Sequence, residues 1–180
     1  STGKLRDFLS SALRKTRSTY SSSCSLIVNS FTTNTINIKE VISIASESSN
    51  SGLYTYEVYK SSKNKSNIDK LMIVVDDDHF PGSLDKYVSY GESIGQAVNF
   101  ARDLSNQPPN HMTPTHLSEA AVETLRNTAI NVEVMDNENM ENMGMGAFLG
   151  VAKGSAEPPK LIIMDYIGDK DNPNNSIALL

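Results

Sequence analysis

Three carboxylates and an imidazole stand together at Asp76-Asp77-Asp78-His79, directly after an apolar run. Oxygen ligands of this kind suit hard divalent ions. Consecutive side chains do not all point at one centre, however, and no second carboxylate group accompanies them in sequence. A solvated turn is the favoured reading. His111 and His116 flank Pro114, so they cannot form the paired helical ligands of a zinc protease, which lie four residues apart. His111 reads as a loop residue and His116 as a residue of a first helical turn. Cys24 has no Cys-His context and reads as a small core or surface residue.

Gly144-Met145-Gly146, with Gly150 and Gly154 behind it, superficially resembles a loop that cradles phosphate. No Gly-Lys-Ser/Thr follows at the required spacing, and no strand–loop–helix order surrounds it. Glycines that permit positive φ or close packing are the better account. Met135, Met140, Met143 and Met145 offer thioethers to a soft metal, but core filling and turn packing suit them better. Lys4, Arg6, Arg14, Lys15 and Arg17 could meet phosphates, yet without interleaved aromatics they fit a solvated helix face.

The elements that would position these residues alternate between two periods. Leu5, Phe8, Leu9, Ala12 and Leu13 recur at helical spacing, with Arg14, Lys15 and Arg17 at the negative end of the dipole. A buried strand is expected over 25–29, and Ile38, Val41, Ile42 and Ala45 predict a second helix. Residues 53–59 form either a strand or an extended loop, and 71–75 form a strand. Leu84 through Leu104 carry the longest helical stripe, and Gly91 and Gly95 within it imply a close approach to a neighbouring element. Pro108-Pro109 stops that helix. Thr113-Pro114 starts the next one, with the hydroxyl as N-cap and Pro at the first helical position. A strand follows over 131–135, with a short turn capped by Asp136. Further strands are expected over 147–151, 160–166 and 176–180. The alternation predicts an α/β sheet.

Composition narrows the function classes. The chain has 180 residues, 38% of them apolar, and a formal charge of −5. That balance argues against nucleic acid or an anionic membrane as partner of the whole chain. No apolar run approaches the roughly 20 residues of a membrane helix. A single cysteine rules out a disulfide framework and is compatible with a reducing compartment. Residues 1–70 carry net +5 and residues 71–180 net −10, with a composition shift near 76–85. Ser-rich patches such as Ser21-Ser22-Ser23 and Ser48-Ser49 read as loops or tolerant surface. The chain opens on Ser1 without an initiating Met or a signal pattern and closes on an apolar run, so both ends read as cut.

Three blocks in order change the outlook. The first is Asn99-Phe100-Ala101-Arg102-Asp103-Leu104-Ser105-Asn106-Gln107-Pro108-Pro109-Asn110, followed by Met112-Thr113-Pro114 and Leu117. The second runs Met143-Gly144-Met145-Gly146-Ala147-Phe148-Leu149-Gly150-Val151-Ala152-Lys153-Gly154-Ser155. The third is Glu157-Pro158-Pro159-Lys160-Leu161-Ile162-Ile163-Met164-Asp165-Tyr166. Together they resemble the leucyl aminopeptidase family of metallopeptidases over about residues 91–180. Residues 1–82 match only loosely, through Tyr54 to Lys60 and the run at 71–75.

The resemblance implies an α/β fold in three parts. Residues 1–82 would be a partial macro-like N-terminal domain, 83–107 a linker helix, and 108–180 the start of the catalytic domain. It also implies a cytoplasmic, hexameric exopeptidase that removes N-terminal amino acids from peptides, Leu preferred. Two divalent ions, Zn or Mn, would activate a bridging water in the complete family member. The family holds its metals in a Gly-Lys-Gly-x-Thr-Phe-Asp-x-Gly-Gly stretch and a later Asn-Thr-Asp-Ala-Glu-Gly-Arg stretch, and neither occurs here. No catalytic, cofactor-binding or metal residue is therefore assigned, no metal is expected on this fragment, and the chain alone is expected to be inactive. The alternative is a non-catalytic binding module, either a DNA-binding accessory or a pseudoenzyme that caps hexamers of a full-length partner.

Overall fold

The computed structural model describes residues 1–62, 68–76, 83–172 and 176–179. They form two compact units, Ser1–Asn106 and Gln107–Leu180. Of the Asp76–His79 cluster, only Asp76 lies among the described residues.

The first unit begins with α1 (Thr2–Arg17), where Leu5, Leu9 and Leu13 recur every four residues and are buried as one stripe. Strand β1 (Ser23–Ile27) follows, then a single 3-10 turn at Val28–Phe31. Helix α2 (Ile38–Ser51) starts at a reciprocal cap, in which Asn37 Oδ1 accepts from the N–H of Glu40 and Glu40 Oε2 accepts from that of Asn37. It leads to β2 (Lys70–Val74), which pairs with β1 in parallel, Leu26 beside Ile73. Two parallel neighbours need such a crossover, because a tight turn only joins antiparallel strands. The core gathers Leu5, Leu9, Val28, Val41, Ile42 and Ala45, with Leu26 and Ile73 supplied by the sheet. Helix α3 (Asp85–Asn106) carries the longest stripe of the sequence and packs along α2. Its packing makes it part of the first unit.

Gly91 and Gly95 explain that contact. Both are buried, and a methyl group on Gly95 would stand 2.7 Å from the Cβ of Asn50. The close approach expected from the two glycines is met by α2. The serines of α2 supply the other half of it, against the sequence reading. Ser48 is fully buried and Ser46 nearly so, where a tolerant surface is expected from Ser48-Ser49. Small hydroxyls fill the space the two backbones leave, and Ser46 Oγ donates to the carbonyl of Val88 at 2.8 Å. Serine abundance alone does not separate a loop from a tight helix interface.

Two smaller expectations change. The strand expected over 25–29 ends at Ile27, because Val28 and Asn29 enter the 3-10 turn that buries Val28 in the core. Residues 53–59 take the extended-loop option.

The second unit starts with α4 (Pro114–Leu125), whose cap is Thr113, accepting from the N–H of His116, with Pro114 at the first position. Strand β3 (Ile130–Met135) and the short α5 (Asn137–Asn142) follow, the latter under a cap formed reciprocally by Asp136 and Asn139. Met140 of α5 is fully buried, as a core-filling thioether should be, whereas Met143 is exposed. Gly144 takes φ +71°, the left-handed conformation glycine adopts most readily, and turns the chain into α6 (Gly146–Ala152). Strand β4 (Leu161–Tyr166) then pairs antiparallel with β3, Val132 beside Met164.

The helix α6 replaces the strand expected over 147–151. A short apolar run is ambiguous between strand and buried helix. Here Leu149 and Ala152 are three apart and half-buried on one side, while Val151 is exposed. The strand expected over 176–180 is also absent from the described residues 176–179, where Ile177 and Leu179 are open to solvent. An apolar alternation becomes a strand only when another strand takes its hydrogen bonds, and none among the described residues does so.

Candidate functional site

The residues of chemical interest are scattered through the two units. Asp76 uses its backbone N–H on Asn29 Oδ1 at 2.9 Å, which fixes the exit from β2. His116 lies exposed in the first turn of α4, its Nδ1 2.8 Å from Thr113 Oγ1. That hydroxyl thus serves the ring as well as the helix cap. His111 sits in the turn before α4, where its N–H reaches the carbonyl of Pro108. Cys24 is half-buried in β1, and burial pushes its thiol above the ordinary value. A thiol shifted that way is the opposite of an activated nucleophile. Among the described residues, no three His, Cys, Asp or Glu side chains come together in a group able to hold a metal ion.

Arginines of the first unit bond within the fold. Arg14 donates to the carbonyl of Gly52 at 3.3 Å and Arg17 to that of Leu53 at 2.8 Å. From the other side, Arg102 of α3 donates to the carbonyl of Ser51 at 2.6 Å, and Asn99 Nδ2 to that of Asn50 at 3.1 Å. Four consecutive carbonyls at the end of α2 are therefore capped by side chains from α1 and α3. The last carbonyls of a helix have no partner within it and carry its negative pole, so guanidinium groups suit them. Sequence reasoning places Arg14 and Arg17 on a solvated face and gives Arg102 and Asn99 no separate role. The contacts are between residues 36 to 51 positions apart, and no local spacing signals them.

The same helix end anchors the loop behind it. Tyr54 Oη donates to Asp103 Oδ1 at 2.7 Å and accepts from Asn106 Nδ2 at 3.1 Å. Arg102 lies over the Tyr54 ring, 5.4 Å from its centroid. Thus Asn99, Arg102, Asp103 and Asn106 form one polar face of α3 that holds the Asn50–Tyr54 segment.

In the second unit, a cleft of about 600 Å³ opens between α5, α6 and the loop that leads to β4. Asn137, Glu141, Lys153 and Glu157 are its polar lining, and Leu149, Pro158 and Pro159 its apolar lining. Asn137 Nδ2 donates to Glu141 Oε1 at 2.6 Å, which ties one carboxylate to the wall. The second and third sequence blocks thus face each other across this cleft.

Residues 99–180, the segment that contains this cleft, match the cytosol aminopeptidase family, catalytic domain. The match supports membership of the cytosol aminopeptidase family for this segment. A probable cytosol aminopeptidase of Alkaliphilus oremlandii (strain OhILAs) is 36% identical over 121 residues, which are 66% of this chain and 24% of that protein. Among solved structures, the bottromycin maturation enzyme BotP in complex with Mn superposes on 91% of this chain with a TM-score of 0.74 at 20% identity. A mutant of tomato leucine aminopeptidase superposes on the same share with a TM-score of 0.73 at 21% identity. At such identities the likeness is one of fold. The chain spans about a quarter of that curated relative and a third of each of these solved chains. Its α/β fold corresponds to part of those structures, as the resemblance implies.

The family resemblance brings divalent metals into view, and the donor set shows whether they fit. The described residues do not fit a two-metal centre, because their carboxylates and imidazoles stay apart. They offer helix caps, a glycine turn and a cleft.

Proposed function

We propose that the protein to which these residues belong is a two-metal leucyl aminopeptidase, and that the 180 residues by themselves do not turn over substrate. The observation that carries the reading is the family match over residues 99–180. The proposed reaction is hydrolysis of the first peptide bond, with Leu as the favoured N-terminal residue and two Zn or Mn ions held outside this segment. Inactivity of the chain alone is supported by the missing metal-binding stretches of the sequence and, among the described residues, by ligand-type side chains that do not gather into a metal-holding group.

In this reading residues 1–82 are a partial macro-like domain, 83–107 the linker helix and 108–180 the start of the catalytic domain. The role of the segment is to build the scaffold. Gly144 turns the chain between α5 and α6, and Thr113-Pro114 sets the start of α4 after the Pro108-Pro109 break. A cytoplasmic hexamer is part of the same proposal. The DNA-accessory alternative loses ground because Arg6, Arg14 and Arg17 bond within the fold, so the basic first segment is not a free array for phosphates.

Two measurements test the two halves of the proposal. The purified chain should give no release of nitroaniline from leucine p-nitroanilide with Mn or Zn added, and metal-dependent turnover would overturn the inactivity. A chimera carrying residues 99–180 in place of the matching segment of the Alkaliphilus oremlandii protein should cleave leucine p-nitroanilide. A folded chimera that binds metal without cleaving it would overturn the aminopeptidase reading.

A further inference from the structure

Helix α3 has two long sides, and the first unit uses one of them. Gly91 and Gly95 seat that side against α2, and Asn99 and Arg102 reach the end of α2 from it. The other side carries Lys86, Tyr90, Ser93, Ala97, Phe100 and Leu104, which are four, three, four, three and four residues apart. That alternation is the heptad of a coiled-coil seam. Tyr90, Ala97 and Leu104 take one of its two inner positions, and Lys86, Ser93 and Phe100 take the other. The seam is about 27 Å long at 1.5 Å per residue. Tyr90 is 63% exposed and Phe100 38%, Lys86, Ser93 and Ala97 are exposed, and Leu104 is half-buried. Single exposed apolar residues are ordinary on a surface, whereas a repeating seam of them is the pattern of a helix that meets another helix.

The seam is complementary to itself when a second copy runs the opposite way. With a two-fold axis at the level of Gly95, Tyr90 stands opposite Phe100 of the second copy and Ser93 opposite Ala97 of the second copy. Lys86 then stands opposite Leu104 of the second copy and beside its Asp103. Each pairing occurs twice, as a contact between identical faces requires. Small residues meet at the centre, where the two backbones come closest. Aromatic rings meet on both flanks, and such pairs add stabilisation beyond the area they bury.

Charge selects the direction. Parallel copies in register would set Lys86 against Lys86 and Asp103 against Asp103. Antiparallel copies set each lysine beside an aspartate, and opposite charges along a seam fix its orientation. Lys86 makes no salt bridge among the described residues. Asp103 is exposed, with Oδ1 accepting from Tyr54 Oη.

We propose that the outer face of α3 is a two-fold contact between two copies of this chain, an antiparallel helix pair with Tyr90 of each copy packed on Phe100 of the other. The contact does not rest on the aminopeptidase reading, although a hexamer with two-fold axes would accommodate it.

Sedimentation equilibrium of the 180-residue chain should show a reversible monomer–dimer equilibrium. Ala97→Glu, at an exposed helical position, brings two carboxylates together near the axis. It should weaken the dimer by about tenfold or more, a factor that corresponds to 1.4 kcal/mol, and leave the circular dichroism unchanged. Lys86→Glu should weaken it too, and more at low salt than at high salt. Cross-linking reads the direction. In a Cys24→Ser background, a mixture of Ser93→Cys and Ala97→Cys chains should form disulfides between unlike chains faster than between like ones. A chain that stays monomeric at its highest soluble concentration, or a dimer indifferent to both charge variants, would overturn the proposal. Faster cross-linking of like chains would overturn it as well, because that is the outcome of a parallel pair. None of these outcomes bears on whether the complete protein cleaves leucine anilide.

Discussion

A methyl group on Gly91 would stand 2.8 Å from the Cβ of Ser46 and 2.9 Å from the backbone nitrogen of Glu47. The distance between α2 and α3 is set by what these two residues lack. Alanine favours a helix over glycine by roughly 1 kcal/mol, so propensity alone predicts that Gly91→Ala stabilises. Overpacking of a tight interface costs about 1–3 kcal/mol and opposes it, and the atoms in the way include backbone that cannot rotate aside. Packing should win, and urea unfolding should show Gly91→Ala less stable than the parent. Gly150 is the control, because it lies in α6 with nothing within 4 Å of a methyl group there. Gly150→Ala should be neutral or stabilising by up to about 1 kcal/mol.

Much of the fold was legible because local signals and burial agree. Leu5, Leu9 and Leu13 announce α1, Thr113-Pro114 announces α4, and Asp136 announces α5, each through chemistry confined to a few residues. The failures share a cause. Ser48 looks like surface and is buried, since only a distant partner helix, met by its neighbour Ser46 at Val88, makes small residues useful here. Residues 147–151 look like a strand and form α6, since four or five apolar residues do not fix a period. The candidate site divides the same way. The glycine turn at Gly144 was legible, whereas the capping of α2 by Arg14, Arg17 and Arg102 joins residues that no sequence spacing connects.

The Arg6–Glu47 pair gives a second prediction. Glu47 is nearly buried while Arg6 is half open, so removing the arginine strands a carboxylate with little access to water. Hydrogen bonds to charged groups contribute about 1.5–3 kcal/mol, and partial screening at Arg6 sets the expectation at the lower end. Arg6→Ala should therefore destabilise by about 1–2 kcal/mol. Arg6→Ala combined with Glu47→Leu should recover part of that loss, because a buried carboxylate is no longer left alone. A double-mutant cycle in urea measures the coupling, and additive losses would show that the pair contributes nothing.

Alkaline pH probes the loop after α2. Burial, followed by the hydrogen bond to Asp103, holds the Tyr54 phenol above its ordinary value, and burial acts on Tyr56 in the same direction. A raised folded value means the native state holds this proton more tightly than the unfolded chain. The stabilisation is then whole below the unfolded value of about 10 and is lost as pH rises through the folded value. Phenolate absorbance should show part of the tyrosine signal titrating late in the folded protein and normally in urea. Tyr54→Phe should remove one such component and flatten the fall in stability above about pH 10. A single normal titration for all tyrosines would contradict it.

Arg102 offers the sharpest test of the cap on α2. Its guanidinium donates to the Ser51 carbonyl and to Asn99 Oδ1 while lying over the Tyr54 ring. Lysine keeps the charge but not the planar fork, so it can meet the carbonyl or the ring but not both with the same geometry. If charge at the helix end were the whole effect, Arg102→Lys would match the parent and Arg102→Gln would not. The structure favours geometry, and each lost hydrogen bond contributes about 0.5–1.5 kcal/mol. Arg102→Lys should therefore fall between the parent and Arg102→Gln in urea unfolding. Hydrogen exchange should localise the change, with faster exchange over residues 50–54 in Arg102→Lys and no change in α4 or β3, which lie in the other unit. Uniform acceleration across both units would mean that the substitution acts on global stability and that the cap is not a local clamp.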